Sequence, residues 1–318
     1  MVLPVDARGR MSAVKRQIQS IAALGIDVDV LEVRGRRRLK YVESLPRLVR
    51  QAAAATLVHA HYGLCGLFAR TNVRKPLVVS FMGSDLLGVA TAEGTTTLGS
   101  RVVVKLDLLL ARHADAVIVK SPEMATTVAP VRAHVIPNGV DLTTFRQIPR
   151  VEARRELGWD RRRRVLFPGC PDEARKGFPL ASEIAAEAST LLGEPVDLVP
   201  LCRVDAELVP VYINACDAVL MTSFWEGSPN VVKEAMACDA PIVSVAVGDV
   251  MELLDGVSGC TVVASRDPSE LANAVAAAAT RGKSGGRAAI VEKGLDLEST
   301  ARRVAAVYDG VVAGMGRC

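Results

Sequence analysis

The segment Phe224 to Met236, FWEGSPNVVKEAM, sets two carboxylates eight positions apart, Glu226 and Glu234, with glycine, serine, proline and asparagine after the first. Small residues followed by an apolar run read as a loop feeding a helix. Ser228 is a good N-cap and Pro229 suits the first helical position, while Asp239-Ala240-Pro241 stops the helix. The backbone N–H groups of Asn230, Val231 and Val232 then lie in a first turn that offers them no helical partner. With the positive end of the helix dipole they make a cradle for a phosphate, which Gly227 lets come close to the backbone.

A carboxylate beside a phosphate is unfavourable unless it has another task. Accepting hydrogen bonds from a sugar diol is such a task. Glu234, inside the helix, suits a ribose diol; Glu226, in the loop, suits a second sugar. A diphosphate with a sugar on either side is a nucleotide-sugar. Two glutamates at this spacing are more often plain surface residues, so the reading leans on the loop, the cap and the apolar run DAVLMTS (217–223) before them.

That run is one of many. GIDVDVLEV (25–33), TLVHAH (56–61), PLVVSF (76–81) and DAVIVKS (115–121) read as strands, and residues 15–25 and 98–113 as helices between them. A proline-rich, polar stretch, 136–159, breaks the rhythm and reads as a linker with a short helix. A second series follows: strands at 163–169, 195–201, 217–223, 240–248 and 259–264, then helices at 267–280 and 297–312. Alternating strands and helices imply parallel, doubly wound sheets. The expectation is an α/β protein with two Rossmann-like domains facing a cleft, and ligands at the carboxyl ends of the strands. Residues 1–145 form the first domain, with an abbreviated first strand; 146–298 form the linker and second domain; 299–318 form a last helix expected to pack back on the first.

Composition excludes several alternatives. Of 318 residues only 4% are aromatic and the net charge is +4, which argues against a stacking platform for nucleic acid. The basic runs RGRRRLK (34–40) and DRRRR (160–164) read first as solvated loops, and second as contacts with an anionic surface. Asp27 and Asp29, in DVDV, alternate along an expected strand and read as structural. Seven scattered cysteines lack C-x-x-C spacing and read as buried small hydrophobes in a reducing compartment; the four histidines make no zinc pattern. No apolar run is long enough to span a bilayer. A cytoplasmic protein is expected, with peripheral contact to an anionic membrane through Arg34, Arg36, Arg37, Arg38 and Lys40.

In order along the chain, VHAHYGLCG (58–66), SFMGSDLLG (80–88), ADAVIVKSPEM (114–124), VIPNGVDLTTF (135–145), VLFPGCPDEARKGF (165–178) and EGSPNVVKEAMACDAPIVS (226–244) resemble the motifs of family 4, or group 1, glycosyltransferases of the GT-B fold. The resemblance covers nearly the whole chain. It implies a retaining, metal-independent transfer of a sugar from a nucleoside-diphosphate donor to a hydroxyl of a glycan, lipid-linked or small-molecule acceptor. It implies Glu226 at the transferred sugar, Lys176 at the diphosphate leaving group, Glu234 at the ribose, and Gly227, Ser228, Pro229, Asn230 and Val231 around the phosphates. Arg175 is expected to stand in for an arginine that many members carry where this chain has Cys170. Gly9, Gly83 and Asp85 are the acceptor-side residues, and Met82 stands where many members have histidine. No cofactor or metal is expected. A non-catalytic partner subunit and a sugar-nucleotide epimerase of the same fold remain the alternatives.

Overall fold

The computed structural model describes residues 1–4, 12–34, 39–88 and 97–315. They fall into two compact units: one takes the chain up to Gly139 and again from Leu297, the other runs from Val140 to Asp296. Each is a parallel sheet with helices between successive strands.

The first unit runs β1 (Val2–Pro4), α1 (Ser12–Ala22), β2 (Leu31–Val33), α2 (Leu39–Ala54), β3 (Val58–His61), α3 (Gly63–Asn72), β4 (Leu77–Ser80), α4 (Ser84–Leu87), α5 (Leu98–Ala111), β5 (Ala116–Val119), α6 (Pro122–Thr127) and β6 (Ala133–Val135). Its sheet has the order β2-β1-β3-β4-β5-β6, every pair parallel. The second runs α7 (Arg150–Glu156), β7 (Arg163–Phe167), a 3-10 turn at Ala174–Lys176, α8 (Phe178–Leu192), β8 (Val196–Pro200), α9 (Val209–Ala215), β9 (Ala218–Met221), α10 (Asn230–Ala237), β10 (Ile242–Val245), α11 (Val250–Leu254), β11 (Cys260–Val263), α12 (Pro268–Arg281) and α13 (Gly286–Glu292). Its order is β11-β10-β9-β7-β8, again all parallel. The last helix, α14 (Leu297–Met315), belongs to the first unit.

A parallel sheet covered on both faces demands apolar side chains pointing both ways. Every residue of β3, β4, β9 and β10 is accordingly buried. Helix starts are capped where the sequence supplies an oxygen: Thr97 accepts from Ser100 N, Ser121 from Met124 N, and Asp267 from Glu270 N with Pro268 behind it. α14 lays Ala301, Val304, Val307 and Tyr308 on Ile21, Val78, Ile118 and Ile136. The Tyr308 hydroxyl meets Nδ1 of His59 at 2.6 Å, and Nε2 of the same ring meets Ser80 Oγ at 2.8 Å. His59 is thereby spent on packing, and burial holds its pKa well below the ordinary value. Burial likewise pushes His61 down to about 3.

Several expectations need correcting. The strand anticipated over 25–33 is only β2, because Asp27 and Asp29 alternate into solvent before the chain reaches the sheet. α2 continues through an internal Pro46. Arg164 in the run 160–164 is turned inward: 8% exposed, it bonds Asp160 and stacks on Trp159, while Arg163 is partly buried and pairs with Glu194. In the other basic run Arg34 pairs with Glu32, and positions 35–38 lie outside the described residues. The cysteines are not all thiols: Cys170 and Cys202 form a disulfide joining the segments after β7 and β8. Among the described residues a grouping of metal-ligand type occurs only there, with Asp172, and its two sulfurs are bonded to each other.

Candidate active site

In the second unit the chain leaves β7 toward β8 on one side and returns to β9 on the other. The strand order therefore reverses between β7 and β9, the point at which an open α/β sheet takes its ligand because the connections diverge to opposite sides. The segments after these two strands carry Arg175 and Lys176 in one case and Glu226 to Pro229 in the other.

Those residues meet. Oε1 of Glu226 accepts from Lys176 Nζ at 2.8 Å, from Arg175 Nη1 at 2.6 Å and from Ser223 Oγ at 3.0 Å. Burial alone would raise the Glu226 pKa, but the Lys176 and Arg175 charges and these hydrogen bonds hold it below the usual value. It is thus an ionised carboxylate at neutral pH.

Glycines make this approach possible. A Cβ on Gly169 would lie 2.8 Å from Cγ of Lys176, so the bare α-carbon leaves room for the lysine stem. Gly177 turns with φ +71°, and a Cβ there would lie 2.4 Å from the Thr222 carbonyl oxygen. Thr222 Oγ1 lies 2.9 Å from the Lys176 carbonyl oxygen and donates a hydrogen bond to it, and Phe224 N donates to Arg175 O at 2.9 Å. From the far side Arg266 binds the carbonyls of Thr222 and Ser223 and stacks on Phe224 at 4.2 Å.

The start of α10 differs from expectation. Its N-cap is Pro229, whose side chain has no oxygen to accept from the first-turn amides, and the helix begins at Asn230. Val232 N donates to Pro229 O at 3.2 Å, so it is not among the amides left over for a ligand. Ser228 is not a cap: its hydroxyl receives Lys233 Nζ at 2.9 Å. Gly227 is buried and its carbonyl accepts from Asp249 N at 3.2 Å. Val231 packs partly on the core, Asn230 is partly buried at the first position, and Glu234 sits half-buried a turn later.

Two residues here escaped the sequence reading. Lys233 is 1% exposed and Asp249 5%. Burial lowers the Lys233 pKa to about 8, against the pull of Asp249 and Glu234; burial raises Asp249 to about 6, against Lys233 and a hydrogen bond from Ser228. The strand order points to Asp249 but not to Lys233: β11, β10, β9 and β7 are neighbours, so Arg266, Asp249, Glu226 and Lys176 all follow the carboxyl ends of adjacent strands.

In the first unit Asp85 is turned onto its own loop. Its carboxylate accepts from Met82 N and Gly83 N at 2.8 to 3.0 Å, and it is 6% exposed. Gly83 sits at φ +131°, which favours glycine, just before α4. Gly9 lies outside the described residues. A cavity of about 450 Å³ lies at the opposite, amino ends of β2 and β3, lined by Asp27, Gln51, His59 and Tyr308 among others. It collects none of the residues singled out for chemistry.

Comparison with known proteins bears on both units. Residues 9–144 match the model described as Glycosyltransferase Family 4, and 173–281 the model described as Glycosyl transferases group 1. D-inositol 3-phosphate glycosyltransferase of Mycobacterium sp. (strain KMS) is 31% identical over 280 residues, 74% of this chain and 62% of that protein. The Geodermatophilus obscurus protein of the same name is 29% identical over 270 residues, 71% and 59% of the two chains. This chain therefore spans about three fifths of the curated relatives it matches. In fold it is similar to sucrose-phosphate synthase (tll1590) from Thermosynechococcus elongatus, with TM-score 0.75, 20% identity and 98% and 99% of the two chains covered. It is also similar to Anabaena Alr3699/HepE, solved with UDP and glucose, with TM-score 0.72, 20% identity and 97% and 99% covered. With one family model on each unit, in order, over two Rossmann-like sheets of the GT-B fold, the chain belongs to the group 1, family 4 glycosyltransferases.

Proposed function

We propose that this chain is a retaining transferase that moves a sugar from a nucleoside-diphosphate donor to a hydroxyl of a glycan, lipid-linked or small-molecule acceptor. The observation that carries the reading is the meeting of Lys176, Arg175 and Glu226 at the point where the strand order reverses. Leaving-group departure puts charge on the diphosphate. Two cations and the amides opening α10 are what stabilises that charge without reorganisation. Glu226 holds the two cations while the site is free of donor. When the diphosphate takes them, its carboxylate is released to accept from sugar hydroxyls. Glu234 is left for the ribose. Alr3699/HepE was solved with UDP, UDP-glucose, and UDP with glucose, which makes UDP-glucose the first donor to try. The named relatives make polyol phosphates and sugar phosphates the first acceptors.

The cationic residues supply the charge that a metal would otherwise supply, so no metal is assigned. We further place the protein in the cytoplasm, where nucleotide-sugars are made; among the described residues no helix is long and apolar enough to cross a membrane.

Product analysis with UDP-glucose and an acceptor panel tests the reading. A glycoside with the donor's anomeric configuration is expected, undiminished by EDTA. Lys176→Ala should lower kcat/KM by about 10²–10³, the usual effect of removing one group that stabilises developing charge. A free, altered sugar would instead identify an epimerase, and no turnover of any donor a non-catalytic partner.

A further inference from the structure

Lys233 is in an expensive place. It lies in the first turn of α10, where the helix dipole is positive, and it is 1% exposed. Neighbours Val232 and Met236 show that apolar side chains fill this region without difficulty. A lysine at such a position implies a task that an apolar residue would not perform.

Its contacts name the task. Nζ donates to Ser228 Oγ at 2.9 Å, which ties the lysine to the turn before α10. Asp249 also grips the same turn through its backbone, its N–H donating to Gly227 O at 3.2 Å. Beside it Gly248 turns with φ +55°, and a Cβ there would come within 2.6 Å of the carbonyl oxygens of both Glu226 and Gly227. The turn from Glu226 to Pro229 is thus held from α10 on one side and from the β10–α11 connection on the other.

We propose that Lys233 and Asp249 are positioning residues for the donor diphosphate: Lys233 through Ser228, and Asp249 through its backbone N–H to Gly227 O, fix the Gly227–Pro229 turn so that the amides opening α10 and the Glu226 carboxylate are set before the ligand arrives. The proposal rests on the donor-site reading above. Neither residue touches the donor; each acts on the turn that does.

The test is UDP binding by calorimetry, with donor and acceptor KM, for wild type, Lys233→Met, Ser228→Ala and the double variant. Each single variant should weaken UDP about tenfold, the effect of one hydrogen bond to a charged group, and raise donor KM but not acceptor KM. The double variant should be no worse than the weaker single one, because both changes cut the same link. The melting temperature of Lys233→Met should stay at or above that of wild type. Wild-type affinity in both single variants would overturn the proposal. So would losses that multiply in the double variant, since Lys233 would then act on the ligand independently of Ser228. If Lys233→Met does not fold, Ser228→Ala, at a partly buried position, carries the same test. Wild type that binds no nucleoside diphosphate at all would defeat the donor-site reading itself, and this proposal with it.

Discussion

At the scale of residues, the site is a small set of charges whose burial decides their behaviour. Glu226 is held below the usual carboxylate value by its two cations and hydrogen bonds, against the effect of burial. In Lys233 burial prevails. Its folded pKa of about 8 lies below the ordinary 10.5, so the unfolded chain binds more protons between those values. Its contribution to stability is therefore fully present above 10.5 and is lost as pH falls through 8. For a fully buried group the difference is on the order of 3 kcal/mol. Urea unfolding of wild type and Lys233→Met across pH 7 to 10.5 should show the wild type gaining relative to the variant as pH rises. Parallel curves would mean that Lys233 is not buried as a charge. The pair Glu226 and Glu234 was legible from sequence because its spacing frames a helix start. Lys233 was passed over because a lysine in a helix reads as solvent-facing, and only packing reveals that this one is buried. The role given to Ser228 failed for a related reason: a cap oxygen and a partner for a buried ammonium look alike in sequence.

At the scale of elements, the loops after β7, β9 and β10 are interlocked backbone to backbone. Gly177 presses on the Thr222 carbonyl and Gly248 on those of Glu226 and Gly227. Gly177→Ala would add the left-handed penalty of about 1–2 kcal/mol and would also force the β7 and β9 loops apart. It should lower the melting temperature and weaken UDP binding together. Gly193 has a similar φ of +67° at the end of α8, but a Cβ there meets nothing within 4 Å. Gly193→Ala should then show the conformational penalty alone, with UDP binding unchanged. Equal UDP affinity in the two variants would show that the Gly177 contact does not set the site. The strands themselves were readable, because a parallel sheet buried on both faces leaves long β-branched runs such as Leu77–Ser80 and Ile242–Val245. The extended reading of 25–33 failed because alternation alone does not say where a chain enters a sheet. The Cys170–Cys202 disulfide was hidden because the two cysteines are 32 positions apart, and only the pairing of β7 with β8 brings their carboxyl ends together.

At the scale of the whole molecule, the chain crosses from the first unit to the second at Gly139–Val140 and returns at Asp296–Leu297. The first unit is thus completed by a helix that follows the whole of the second unit in sequence. α14 buries Val304, Val307 and Tyr308, and burial of one large apolar side chain is worth about 1.5–3 kcal/mol. Removing it would also leave His59 with one hydrogen bond fewer in a buried position, a further loss of about 1–3 kcal/mol. Together these approach the 5–15 kcal/mol that typically separates a folded domain from its unfolded chain. A chain ending at Asp296 should therefore lose the first unit and keep the second, since no residue of α14 belongs to the second unit's core. Hydrogen exchange would report it directly: protection lost in β3, β4 and β5, and kept in β7, β9 and β10. Protection of β3 to β5 equal to that of the full chain would mean that α14 is an accessory to the first unit rather than part of its core. Tyr308→Phe separates the two contributions, since it keeps the ring in place and removes only the hydroxyl. It should destabilise the first unit by about 1–3 kcal/mol, with β7, β9 and β10 exchanging as in wild type.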